Sequence, residues 1–98
     1  MNTPNAQAPT PYGMAQVAMA HLKEAVYLTV ARGPSSGMTN VAIGRALGIY
    51  SGHVGHEGHI SGTLLALLEA EGVVDQDKQT KAWRLRPIDQ EEKGAASG

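Results

Sequence analysis

The sequence predicts an α+β fold, mostly α-helical: three helices in succession, then a β-hairpin. Three observations carry this reading. Apolar residues recur at spacings of three and four in three separate segments, the period of one helix face. Glycines punctuate the ends of those segments, at Gly33, Gly48 and Gly72. After the last of them, two short β-type runs flank a polar stretch, the pattern of a hairpin.

The first helix is expected over residues 14–32. Met19, Leu22, Val26 and Val30 lie on one face, and several alanines raise helix propensity. Gly33 and Pro34 stop it. Met14, Val17 and Tyr27 fall off that face, as ordinary surface apolars or as a dimer contact. The second helix is expected over residues 39–47. Thr39 is a suitable N-cap, because its hydroxyl can accept a free backbone N–H of the first turn. Val41, Ile43, Ala46 and Leu47 are its apolar residues. The third runs through residues 60–71, with Ile60, Leu64, Leu65, Leu67 and Leu68 as a broad apolar face. Residues 73–74 and 82–85 are the strand runs, with residues 75–81 as the loop between them. Trp83 and Leu85 share a face, so Trp83 is expected in the core.

Size and composition set the frame. With 98 residues the chain is one domain, residues 14–86. Residues 1–13 hold Pro4, Pro9 and Pro11 and read as a disordered arm; residues 87–98 read as a flexible tail. There is no cysteine, which excludes disulfides and thiolate metal sites. No apolar run is long enough to span a bilayer, and residues 1–12 lack the pattern of a signal peptide, so no membrane partner and a cytoplasmic location are expected. The net charge of −1 gives no global electrostatic signature of nucleic-acid binding. A local one exists: Lys78, Lys81, Arg84 and Arg86 stand against only Asp77.

Two segments resemble the winged helix-turn-helix family. The first is residues 39–48, with the capping Thr39, the core Ile43, the small Gly44, the core Leu47 and the turn residue Gly48, like the family's first motif helix. Gly44 falls where the two motif helices would cross, and a larger side chain there would push them apart. The second is residues 64–74, similar to the end of the recognition helix running into the first wing strand, after which Lys81, Ala82, Trp83, Arg84 and Leu85 match the return strand. The resemblance implies a three-helix winged helix-turn-helix with a C-terminal β-hairpin wing. It also implies double-stranded DNA as partner, bound by a homodimer, with transcriptional regulation in a prokaryote as the expected role.

The sequence departs from the family at the turn, normally three or four residues. Here Gly48 and Ile60 are separated by a stretch containing Gly52, Gly55 and Gly58. The recognition helix could start near Ser51 or near Gly58. Each interior glycine costs about 1 kcal/mol relative to alanine, which favours the later start.

In that register the exposed residues at the head of the recognition helix are His59, Ser61, Gly62 and Thr63. The polar ones can hydrogen-bond a base edge or a phosphate, or simply be solvated. No Arg, Lys, Asn or Gln lies there, so the bidentate pairings to guanine or adenine are missing. Arg45 is placed on the outer face of the second helix, where it could hold a phosphate or face solvent. Lys78, Lys81 and Arg84 fall on the wing, where the resemblance implies contact with the DNA backbone.

The loop carries Ser51, His53, His56 and His59, candidates for meeting phosphates through imidazoles and backbone N–H groups. The three histidines, with Glu57, could instead hold zinc or sense pH, although their spacing is not that of ordinary zinc pairs. No cofactor and no enzymatic activity are expected: the histidines have no orienting partner recognisable from sequence, and there is no nucleotide-binding glycine motif. The alternative to DNA binding is a winged-helix module for dimerisation or protein docking.

Overall fold

The computed structural model describes residues 10–51 and 57–87. Its elements run α1 (Pro11–Arg32), α2 (Asn40–Leu47), α3 (His59–Ala70), β1 (Val74–Gln76) and β2 (Trp83–Leu85). This is the expected order, a mostly helical α+β domain laid out like a winged helix.

Helix α1 begins three residues earlier than its periodicity predicts. The hydroxyl of Thr10 accepts from the Gly13 N–H at 3.0 Å. Pro11 follows in the first turn, where its missing N–H costs nothing. A proline read as part of a loose arm is therefore a helix start. At the other end, Gly33 closes the helix through its N–H to the Val30 carbonyl.

Helix α2 is capped as expected, Thr39 Oγ1 accepting from the Ala42 N–H. Gly48 ends it in the left-handed region, and the Ile49 N–H returns to the Gly44 carbonyl at 2.8 Å. Helix α3 starts at His59, after Gly58, which agrees with the later of the two registers. Gly58 has φ +88, and a Cβ there would lie 2.8 Å from Asn40 Nδ2 and 3.0 Å from Tyr50 Cε1. Both its conformation and its close quarters require glycine.

The two strands pair antiparallel, Val74 with Leu85, Asp75 with Arg84 and Gln76 with Trp83. The first strand is shifted from residues 73–74 into the polar sequence: Asp75 lies on the side of the hairpin away from the core, and Gln76 pairs with Trp83 at the loop end. A further pairing joins the α1–α2 connection to the hairpin. Met38 and Trp83 exchange both backbone hydrogen bonds, at 3.0 and 2.7 Å.

The core gathers Val26 and Val30 of α1, Ile43 of α2, Leu64, Leu65 and Leu68 of α3, Val74 and Trp83. Met19, Leu22 and Leu47 pack at its margin. Ile60 and Leu67, assigned from the sequence to the core face of α3, are instead exposed, as is Val41 of α2. An ion pair between Lys23 and Glu71 ties α1 to the residue after α3.

At the crossing of α2 and α3 there is little room for a larger side chain. A Cβ on Gly44 would lie 2.9 Å from Ser61 Oγ and 3.1 Å from Tyr50 Cβ. Gly44→Val should therefore force the two helices apart, costing about 1–3 kcal/mol or more. Urea unfolding followed by circular dichroism checks this. An unchanged midpoint would mean that the crossing has slack which this packing does not reveal.

Candidate nucleic-acid interface

The outward face of α3 is built by elimination. Ser61, Leu64, Leu65 and Leu68 point into the domain. The residues half a turn away, His59, Thr63, Ala66 and Ala70, are exposed and share the opposite side. Apart from His59 these are small side chains. His59, Thr63 and Ala66, together with Glu57, Gly58 and Gly62, border a shallow depression over the first half of the helix. A rod with so little relief on its outer side can approach a groove closely.

Ser61, a candidate DNA contact, is overturned by its position. It is fully buried and its Oγ donates to the Gly58 carbonyl at 3.4 Å. Its small size matches Gly44 across the helix crossing, which explains a serine on an otherwise leucine-lined face. His59 and Thr63 remain exposed on α3. Ser51 is exposed, and its carbonyl accepts from the Gly58 N–H. His53 and His56 lie outside the described residues. Among the described residues no three His, Asp or Glu side chains gather as a metal site would require.

Two residues without a role in the sequence reading organise the head of α3. Asn40 Nδ2 donates to the Gly58 carbonyl at 3.2 Å, linking the start of α2 to the start of α3. Its Oδ1 is buried with no hydrogen-bond partner among the described residues. Tyr50 fills the angle between Gly44 and Gly58, and the Arg45 guanidinium lies 5.2 Å from its ring centroid. Arg45 is exposed, so it has an aromatic support that steers it while its charge faces solvent.

The wing is a tight turn shaped by one carboxylate. Asp77 Oδ1 accepts from the N–H groups of Gln79 and Thr80 at 2.8 and 2.9 Å. The Asp77 carbonyl accepts from the Lys81 N–H, and the Asp77 N–H donates to the Ala82 carbonyl. The backbone donors to its carboxylate, Thr80 first and then Gln79, hold the Asp77 carboxyl below its usual range. Lys81 takes a left-handed φ of 67 to complete the turn. Lys78 and Lys81 are thus presented in solvent at the tip.

The rest of the basic strip is divided. Arg86 donates from Nε and Nη2 to Asp75 Oδ1, at 3.1 and 2.6 Å. That hydrogen bonding is the main reason the Asp75 carboxyl also lies below its usual range. Arg84 is exposed, but its stem lies against Gly37, and it borders a pocket with Pro34 and Ser35 beside the α1–α2 connection. The structure therefore sets Lys78 and Lys81 together at the tip and Arg84 towards α1.

No helix among the described residues is long and apolar enough to cross a membrane. No protein-family model, curated protein or solved structure matches the chain.

Proposed function

We propose that this chain binds double-stranded DNA, as a small prokaryotic transcriptional regulator or accessory DNA-binding unit acting in the cytoplasm as a homodimer. The observation that carries the reading is the pairing of a low-relief α3 face with a rigid turn that lifts Lys78 and Lys81 into solvent. In such an arrangement α3 enters the major groove and the wing lysines lie on phosphates. Arg45, supported on Tyr50, adds a third cation beside the head of α3. His59 and Thr63 supply the hydrogen-bonding groups nearest the bases.

The chemistry favours modest affinity. Helix α3 has no Arg, Lys, Asn or Gln, and the chain has no net positive charge to steer it to DNA. Those same two facts support a second reading, a protein-docking module with the same layout.

Fluorescence anisotropy with a random-sequence duplex tests the proposal. Saturable binding at about 50 mM salt that weakens as salt rises is expected. No binding at that salt, together with no sequence enriched by repeated selection, would overturn it in favour of the docking module.

A further inference from the structure

Helix α1 carries apolar residues on two sides. One side, Met19, Leu22, Val26 and Val30, covers the domain core. The other follows its own alternating steps of three and four through Met14, Val17, His21, Glu24, Leu28 and Ala31. At 100° per residue this stripe lies opposite the first. Met14 and Val17 are each 59% exposed, Leu28 is half-buried, and the other three face solvent. We propose that this stripe is the homodimer surface, pairing antiparallel with the α1 of a second copy of the chain. The inference specifies how the homodimer named above forms. It does not depend on DNA binding.

The stripe itself says what covers it. In an antiparallel pair each step-of-three position faces a step-of-four position of the partner. With the two-fold axis midway between His21 and Glu24, Met14 faces Ala31, Val17 faces Leu28 and His21 faces Glu24, each pair occurring twice by symmetry. The two polar residues of the stripe then meet only each other. An imidazole N–H can donate to a carboxylate in either charge state of the ring. Sliding the helices one step either way sets Glu24 against Met14 or against Leu28, leaving a carboxylate on an apolar side chain. One register is selected, as buried polar pairs select register in coiled coils.

A second observation concerns the first turns of α1. From Pro11 to Ala18 every residue is exposed except the half-buried Gly13, so this part of the helix extends beyond the body of the domain. These two turns continue a packed helix but gain nothing from tertiary burial, so they are its most easily frayed part. In the antiparallel pair they lie along the anchored half of the partner's α1, and each copy supports the other. Ala18, Ala20 and Ala25 flank the stripe and allow close approach. The overlap of about 27 Å gives an interface at the small end of the specific range, consistent with dissociation in the micromolar regime.

Sedimentation of the full chain from micromolar to submillimolar concentration tests the proposal, with circular dichroism as the check on folding. A monomer–dimer equilibrium is expected. His21→Glu sets two like-charged pairs in the interface and should weaken dimerisation roughly tenfold. Adding Glu24→Lys to it creates two opposite-charge pairs and should restore the dimer. Both sites are exposed, so the fold should persist in both variants. A mixture of Val17→Cys and Leu28→Cys chains should cross-link to each other on oxidation. A monomer throughout the range, no effect of His21→Glu, or no rescue by the double variant would overturn the pairing. Loss of DNA binding with an intact dimer would count against the proposed function and leave this surface standing.

Discussion

Trp83→Ala is expected to abolish cooperative folding at 37 °C. Trp83 is the largest side chain of the core and is 8% exposed. It stands where three parts of the chain meet. Its backbone joins Met38 of the α1–α2 connection and its strand pairs with β1. Its ring packs in the cluster with Val26, Leu65 and Val74. Truncating a buried tryptophan removes about 3–5 kcal/mol. Small domains hold about 5–15 kcal/mol in total, and one of this size sits at the lower end. The variant should lose most of its folded population, read as a lost or strongly left-shifted urea transition by circular dichroism. Fluorescence is unsuitable, because this is the only tryptophan of the chain. Trp83→Phe should retain a transition, since the ring it keeps fills part of the space. A shift below about 1 kcal/mol for the alanine variant would show that the hairpin is an appendage and not part of the core.

The legible parts of the fold were those written in short-range chemistry. Thr39, Gly48 and Gly72 mark helix ends through caps and left-handed turns that depend on neighbouring residues alone. The spacing of Val26, Val30, Leu64, Leu65 and Leu68 marks the buried faces, although Ile60 and Leu67, read onto the same face of α3, lie at its exposed edge. What escaped depends on packing between distant segments. Ser61 looks like a solvated polar residue until Gly44 is brought opposite it. Arg86 looks like part of a basic strip until strand pairing sets it beside Asp75. The Met38 pairing involves a single residue, too short for any periodicity to announce. Asp75 reads as loop because a polar residue on the open side of a hairpin carries no burial signal, and Gln76 because a polar side chain next to it, opposite Trp83, ends the apolar run early. Pro11 misled for another reason: proline marks both loose chain and a helix's first turn, and only Thr10 beside it separates the two.

Reversing both wing-tip charges, Lys78→Glu with Lys81→Glu, should weaken DNA binding by about tenfold or more at about 100 mM salt, on every sequence alike. The tip is suited to a clean test. Both lysines are exposed, and the turn is held by the Asp77 carboxylate and by backbone hydrogen bonds, none of which uses a lysine ammonium. Glutamate at position 81 meets the same left-handed backbone as lysine does, so the turn geometry should persist. A lysine on a phosphate displaces counterions from the duplex, and without it those ions stay bound. The slope of log affinity against log salt should therefore flatten by about one for each lysine. Lys81→Gly separates charge from backbone. It relieves the left-handed residue and removes one cation, so it should give a sound fold with about half of the slope change. Thr63→Val supplies the contrast on α3. It removes a hydroxyl that the proposed docking sets near the bases while leaving the charge untouched, so it should alter preference among sequences and leave the salt slope unchanged. The two outcomes assign different work to the two elements. An unchanged slope in the double wing variant would remove the wing from the interface and leave binding to Arg45, His59 and the segment between them.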